Sequence, residues 1–498
     1  MTSIRRVFTH SFTYMLGNIA VMAAAFVSFP LWTRLLSVSD YGVFCTVTIT
    51  ITFMSVFLKF GNQQAVVRYY HDYTSDEQRR RTYYSTMILG ALMIGAAVTA
   101  LYVAAIGALY GTFLSLEWRW YLVIAGVGGL LAAMVELLLN FFRASERIGA
   151  YNAVRIIRRY GGLGLSVVFV VAFSWGIYGL FIGQILALGL TALLMLYLLF
   201  RGRVRDLGLR YFSPGFLREA VSYGFPLIWL ELSNNMLAIS DRYVILFFHG
   251  THDVALYSAG YNVTQYGLEL LYRPLWLAVV PIYLRIHKNE GREETEKFLS
   301  RTLKYYLMAA IPMVFGLGYM GSELLGILAT PEYRSAYSVI PVISLSYLFF
   351  GTFSILSAGI HIQKKTRILM YASLTSATVN MGLNLLLVPS MGIMGAAVAT
   401  LISYVLLIGI VGYYAGRFIT IRVPIGPVLK YSGISVLMLL VMGRYSAENQ
   451  VVDALVRICI GGAFYSAALL LLEKDLRAMV TRGKDRVMLK FGLIRQRP

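Results

Sequence analysis

The chain has 498 residues, of which 58% are hydrophobic and 14% charged, and it carries a formal charge of +20. Soluble domains run at roughly 45–50% apolar and ~25% charged, so this balance excludes a soluble globular protein and fits a chain that crosses a membrane many times. The two cysteines, Cys45 and Cys459, sit in or beside apolar segments and supply neither a disulfide framework nor a metal-ligand spacing.

In chain order the apolar runs fall at about 11–36, 41–60, 83–110, 119–143, 158–174, 177–200, 220–248, 253–284, 303–328, 336–360, 368–388, 392–415, 427–445 and 450–472. A span needs roughly 20 apolar residues, so these runs predict an all-α polytopic membrane protein with about 14 transmembrane helices. The first run follows Arg5-Arg6 in the manner of a signal peptide, but it continues to about Leu36 and reads as an uncleaved helix.

The loops alternate in character. One set is basic: Arg79-Arg80-Arg81; Arg143, Arg147, Arg155, Arg158 and Arg159; Arg201, Arg203, Arg205 and Arg210; Arg285, Lys288, Arg292 and Lys297; Lys364, Lys365 and Arg367; Arg417 and Arg422. The other set is short and nearly free of Lys and Arg: Ser37–Asp40, Tyr110–Glu117, Ser174–Gly176, Gly250–Asp253, Thr330–Ala336, Pro389–Met391 and Ser446–Gln450, with Arg334 the exception. By the positive-inside rule the basic loops and both termini are expected in the cytoplasm, in a multi-pass protein of the cytoplasmic (inner) membrane. The positive charge is therefore mostly topology, and no nucleic-acid partner is expected. The tail from Glu473, with Lys474, Arg477, Arg482, Lys484, Arg486 and Lys490, reads as a helix on anionic headgroups.

Spans one to six and seven to twelve echo each other. Asp40-Tyr41-Gly42-Val43-Phe44 answers Asp253-Val254-Ala255-Leu256-Tyr257, and Gly176-Ile177-Tyr178-Gly179 answers Gly392-Ile393-Met394-Gly395. A six-span repeat keeps its orientation, which predicts two parallel lobes about an axis along the membrane normal. The expected organisation is a first lobe over 1–200, a basic linker over 201–217, a second lobe over 218–416, a two-helix appendage over 417–472 and a basic tail over 473–498.

Two neighbouring runs carry charges that a lipid-facing helix does not tolerate. Glu231, Asn234, Asn235, Asp241 and Arg242 share one side of a helix by their spacing, and Asn262, Gln265, Glu269 and Arg273 share a side of the next. Each charge at mid-bilayer costs roughly 2.5–3.5 kcal/mol on insertion scales, so these residues are expected to face each other or a watery chamber. No phosphate-binding loop is present, and His249 and His252 lack a third ligand, so no cofactor and no metal are expected.

Arg34-Leu35-Leu36-Ser37-Val38-Ser39-Asp40-Tyr41-Gly42, followed by Gly61 and Arg68, resembles the opening of the polysaccharide and lipid-linked oligosaccharide flippases. These belong to the multidrug/oligosaccharidyl-lipid/polysaccharide exporter superfamily. Asp241-Arg242, Tyr257-Ser258-Ala259 and Asn380…Asn384…Pro389…Gly392…Gly395-Ala396-Ala397 continue the pattern over spans one to twelve. The resemblance implies a V-shaped carrier of two six-helix lobes plus two C-terminal helices. Such a carrier turns undecaprenyl-pyrophosphate-linked oligosaccharide from the inner to the outer leaflet by alternating access. Polysaccharide or lipopolysaccharide O-antigen synthesis is its setting, with a polymerase and chain-length machinery as partners.

That task assigns roles to the polar residues. Arg242 and Arg273 are the first candidates for the pyrophosphate, because a guanidinium offers a bidentate fork; Arg273 alternatively pairs with Glu269 four residues earlier. Arg34 and Lys59 either join them or snorkel to the surface, Lys59 beside Arg68. Asn234, Asn235, Asn262 and Gln265 can bond sugar hydroxyls. Glu231, Glu269, Glu136 and Asp241 either carry coupling ions or hold structural pairs with buried arginines. The rival readings are a peptidoglycan lipid-precursor flippase, an ion-coupled multidrug exporter with an acidic cavity, and a membrane glycosyltransferase or polymerase. An enzyme is not expected, since no outer loop exceeds about ten residues.

Overall fold

The computed structural model describes residues 2–109, 115–201, 206–473 and 476–477, and among them there is helix and no strand. Most of the basic tail, Arg203 and Arg205 of the linker, and residues 110–114 lie outside the described residues.

The first half of the chain forms α1 (Thr2–Leu35), α2 (Val38–Lys59), α3 (Asn62–Tyr73), α4 (Glu77–Leu109), α5 (Leu116–Ala144), α6 (Ile148–Val167, prolonged by a π-turn to Ala172) and α7 (Gly176–Phe200). The second half forms α8 (Pro214–Ile239), α9 (Asp241–Leu328), α10 (Ile340–Gly351), α11 (Phe353–Leu356), α12 (Ala358–Ile362), α13 (Arg367–Gly416), α14 (Ile425–Met442) and α15 (Gln450–Leu472). Several starts are written in the sequence. Ser37 and Ser115 cap α2 and α5 by accepting from Asp40 and Trp118 N–H, and Ser213 caps α8 ahead of Pro214. These side chains satisfy N–H groups that the first helical turn leaves without partners.

The 88 residues of α9 and the 50 of α13 would measure about 130 and 75 Å if straight, far beyond a ~30 Å hydrocarbon core. They break where glycine takes up left-handed backbone, at Gly250 (φ 82°) and Gly291 (φ 87°) in α9 and at Gly392 (φ 55°) in α13. Gly250 falls in a predicted short loop, Gly392 follows one, and Gly291 falls in a predicted basic one. By length and composition, ten helices among the described residues can cross a bilayer, against the 14 spans expected. Two of those ten runs contain the glycine breaks, and α6, with Arg155, Arg158 and Arg159 along it, is not among the ten.

The helix of the fifth apolar run, α6, begins earlier than the run suggests. Residues 148–157, assigned by their arginines to a basic loop, are the first turns of α6. The reason is amphipathicity. Asn152, Arg155 and Arg159 recur at helical spacing and bond α1: Asn152 Nδ2 to Thr13 O, Arg155 Nη1 to Asn18 Oδ1 (2.9 Å) and Arg159 Nη2 to Ser28 Oγ (3.1 Å).

The two halves meet along α2, which packs on α5 on one side and on α8 and α9 on the other. Small residues permit the closest approaches. A Cβ on Gly42 would fall 1.9 Å from Thr251 O, so α2 rides directly on the turn at Gly250. Long aliphatic side chains lie exposed on the outside, among them Leu101 (72%) and Leu386 (71%). An apolar surface of this kind is stable against lipid rather than water.

Candidate functional site

A cavity of about 380 Å³ lies between the halves, lined by α1, α2, α6 and α7 from the first and by α8 and α9 from the second. Phe29, Trp32, Tyr41, Phe44, Tyr261 and Tyr266 form its aromatic walls. Arg158, Arg159 and Arg242 supply positive charge, and Gln184, Asn262 and Gln265 supply amides. Among the described residues, no Asp or Glu lines it.

Arg242 is held from every side. Its Nη1 lies 2.8 Å from Asp241 Oδ1 and donates to Ala238 O at 3.0 Å, while its guanidinium sits 4.2 Å over the Tyr261 ring and 5.2 Å over Tyr257. Asp241 Oδ1 also accepts the Arg242 N–H at 2.9 Å, and Oδ2 accepts the Tyr257 hydroxyl at 2.5 Å. Neighbouring residues within a helix point about 100° apart, but Asp241 and Arg242 meet because α8 ends at Ile239 and α9 starts at Asp241. At a helix start the carboxylate folds back over the free N–H groups, where the helix dipole also favours it. The result is a buried cation of fixed direction, presented to the cavity with its charge compensated from behind.

Arg159 differs. It lines the cavity from α6 and donates to the Ser28 hydroxyl, and no carboxylate among the described residues bonds to it. Arg158 beside it reaches Glu136 at 3.2 Å, both side chains about a third exposed. Sequence reading missed these two as site residues by placing them in a loop. The signal that finds them is the spacing Asn152, Arg155, Arg159, Gly162, Ser166, which is helical throughout.

The sequence profile of the polysaccharide biosynthesis protein family matches residues 8–287, more than half of the chain. The chain belongs to that family. The profile of the lipid II flippase MurJ family matches residues 165–452, and with it the chain is a flippase-type member of the multidrug/oligosaccharidyl-lipid/polysaccharide exporter superfamily. A protein of Haloferax volcanii named as a probable low-salt glycan biosynthesis flippase is 22% identical over 83% of this chain and 84% of its own. Among solved structures, the lipid II flippase MurJ in an inward closed conformation superposes with TM-score 0.75 at 17% identity, covering 94% of this chain and 99% of that one. An inward-facing multidrug resistance transporter of the same superfamily gives 0.67 at 15% identity over 80% of this chain and 94% of its own.

Within the fold the predicted site residues separate into groups. Arg242, Asn262 and Gln265 line the cavity, and Asn262 Nδ2 donates to Tyr41 OH across the halves at 3.2 Å. Arg273 is not among the lining residues. It pairs with Glu269 at 2.8 Å, and Glu269 also accepts from Gln265 and Tyr272. The i,i+4 spacing decides that outcome. Arg34 donates to Ile327 O at 2.7 Å, Asn234 is exposed, and Asn235 Nδ2 turns back to Glu231 O. None of these three lines the cavity, and Glu136 and Asp241 stand behind the arginines they pair with.

Lys59 overturns the snorkelling reading. It is 7% exposed, and its Nζ lies 2.7 Å from Glu231 Oε1, while Gln63 Nε2 donates to Glu231 Oε2 at 2.8 Å. Arg68, the expected companion, pairs instead with Asp72. Pointing Lys59 outward would leave Glu231 with no cation. The pair therefore joins α2 to α8 across the halves, away from the cavity. Beside it the backbones of Gly61 and Gly224 touch: a Cβ built on Gly61 would fall 2.2 Å from Gly224 C, and one on Gly224 would fall 2.4 Å from Gly61 O.

Proposed function

We propose that the cavity receives the pyrophosphate-sugar head of an undecaprenyl-pyrophosphate-linked oligosaccharide, and that the protein turns it from the inner to the outer leaflet by alternating access. The observation that carries this reading is a cavity lined by three arginines and aromatic walls with no carboxylate on its lining. A dianionic head matches that charge, and planar guanidinium groups bind phosphate oxygens in pairs. Arg159 makes the primary contact, Arg242 adds a fixed positive field, and Asn262, Gln265 and Gln184 bond sugar hydroxyls. The prenyl tail stays in lipid. Polysaccharide export is the setting, in the cytoplasmic membrane with the basic loops and termini inside. A polymerase and chain-length machinery take up the product, and no catalytic step is assigned to the chain.

A multidrug exporter of organic cations fits poorly, because such cargo needs acids in the cavity. A peptidoglycan-precursor flippase is the second reading, favoured by the lipid II flippase profile over residues 165–452. Both substrates share the polyprenyl pyrophosphate, so the sugar separates them. Coupling falls first to Glu231, whose pair with Lys59 spans the halves and must part as they separate; Glu269, Glu136 and Asp241, each paired within one half, are the further candidates.

The test uses proteoliposomes with fluorescent undecaprenyl-pyrophosphate oligosaccharide or lipid II and a leaflet-selective quencher. Arg159→Ala should abolish movement of the preferred lipid at unchanged protein level, and Arg159→Lys should restore part of it. Unaltered movement in Arg159→Ala removes the cavity from the pathway; preference for lipid II selects the second reading.

A further inference from the structure

A second pocket, of about 180 Å³, lies outside the cavity at the basic-loop end of the first half, where the start of α4, the α5–α6 turn and the end of α7 come together. It is more polar than apolar, and its cations are Arg80 and Arg147. Arg80 is committed: its Nε and Nη2 lie 3.3 and 3.2 Å from Asp206 Oδ2. The other oxygen of Asp206 accepts from Arg81 Nε at 3.1 Å, and Arg81 also pairs with Glu77. Asp206 thus has no lone carboxylate oxygen left to compensate a further cation.

Arg147 is that further cation. It stands at the N-terminal boundary of α6, and no hydrogen bond or ion pair of its guanidinium is found among the described residues. The Tyr84 phenol lines the pocket together with Arg147 and Arg80. Among the residues lining the pocket two arginines stand against one carboxylate, which leaves the charge of Arg147, itself exposed, uncompensated there with phenol and hydroxyl groups at hand. A free guanidinium fork with neighbouring hydroxyls is the chemistry that holds a phosphate group.

We propose that this pocket is an anion site for one phosphate group, distinct from the transport cavity. It goes beyond the transport reading and does not depend on it. Its place in the fold gives binding a consequence. Asp206 lies in the linker between the halves, Ser85 Oγ donates to Asp206 O and accepts Gly208 N–H at 3.1 Å, and Thr86 Oγ1 accepts Ser213 N–H at 2.9 Å. A phosphate bridging Arg147 and Arg80 ties the α5–α6 turn to the stretch that carries the second half. The phosphate comes either from an anionic lipid headgroup at that membrane surface or from solution.

The experiment is native mass spectrometry and thermal melting of the full chain in detergent. Phosphatidylglycerol, phosphatidylcholine and inorganic phosphate are titrated separately against the unaltered chain, Arg147→Gln, Arg147→Lys and the neighbouring control Arg143→Gln. The expected result is binding of phosphatidylglycerol over phosphatidylcholine, weakened about tenfold or more in Arg147→Gln, as loss of a charge-assisted fork implies, partly retained in Arg147→Lys, which keeps the charge but not the fork, and unchanged in Arg143→Gln. Inorganic phosphate binding with the same dependence on Arg147 supports the site with a soluble source. Equal binding of both lipids and no phosphate binding, or an Arg147→Gln chain that binds as well as the unaltered one, overturns it.

Discussion

Gly224→Ala is the sharpest probe of how the cavity is closed. Gly224 has ordinary helical backbone, so alanine there costs nothing in φ and tests the contact alone. The new Cβ would sit 2.4 Å from Gly61 O, 2.5 Å from Gly61 C and 2.8 Å from Gly61 Cα. All three are backbone atoms, which cannot rotate aside as a side chain would. The helices must part by about 1 Å, and overpacking of this kind costs typically about 1–3 kcal/mol. At about 1.4 kcal/mol per tenfold, the closed arrangement loses roughly 5- to 150-fold in population relative to any arrangement in which α2 and α8 stand apart. Cys45 reports on it, since it lines the cavity and is 9% exposed, while Cys459 lies exposed elsewhere. In a Cys459→Ser background, a membrane-impermeant maleimide applied to open membrane fragments should label Cys45 faster in Gly224→Ala by a factor in that range. Identical labelling rates with and without the alanine would refute the idea that the Gly61–Gly224 contact bars the cavity.

Two further outcomes follow from the ion pairs. Lys59→Ala leaves Glu231 without its cation; because that carboxylate side chain is 32% exposed, the cost is discounted from the several kcal/mol of a fully buried pair to about 1–2 kcal/mol. Glu231→Ala added to Lys59→Ala should then cost less than the separate losses combined, and a denaturation cycle giving full additivity removes the pair as a link between the halves. At the C-terminal end, burial raises the Glu473 carboxyl, but hydrogen bonds from Lys304 and Lys430 outweigh it and hold it below the usual range. A carboxyl lowered in the folded state stabilises fully above its unfolded value of about 4.3 and loses that contribution as pH falls through the folded value. Melting of the native chain should drop over that acid window more than melting of Glu473→Gln, and parallel profiles would show that the two lysines do not anchor the appendage.

The all-α membrane class was legible because it follows from single-residue chemistry: apolar runs of bilayer length, caps such as Ser37 and Ser213, and glycines where the chain must turn. The polar stripes of the seventh and eighth runs were also legible as something other than lipid-facing. Their partners were not, because spacing along one helix says which side a residue is on and nothing about what stands opposite. Lys59 and Glu231 are 172 positions apart, and only the packing of α2 on α8 brings them to 2.7 Å. Arg158 and Arg159 were hidden for a different reason: their charge resembles that of a loop, and only the face they turn to α1 and the cavity marks them as interior. Arg242 became a fixed cation through one local event, the helix restart at Asp241. The sequence by itself determined that the chain is an all-helical membrane protein, because hydration cost is paid residue by residue. The tertiary structure decided which charges line a chamber and which bind each other, because in a bundle of helices an arginine next to a distant carboxylate and an arginine facing water differ only in their neighbours.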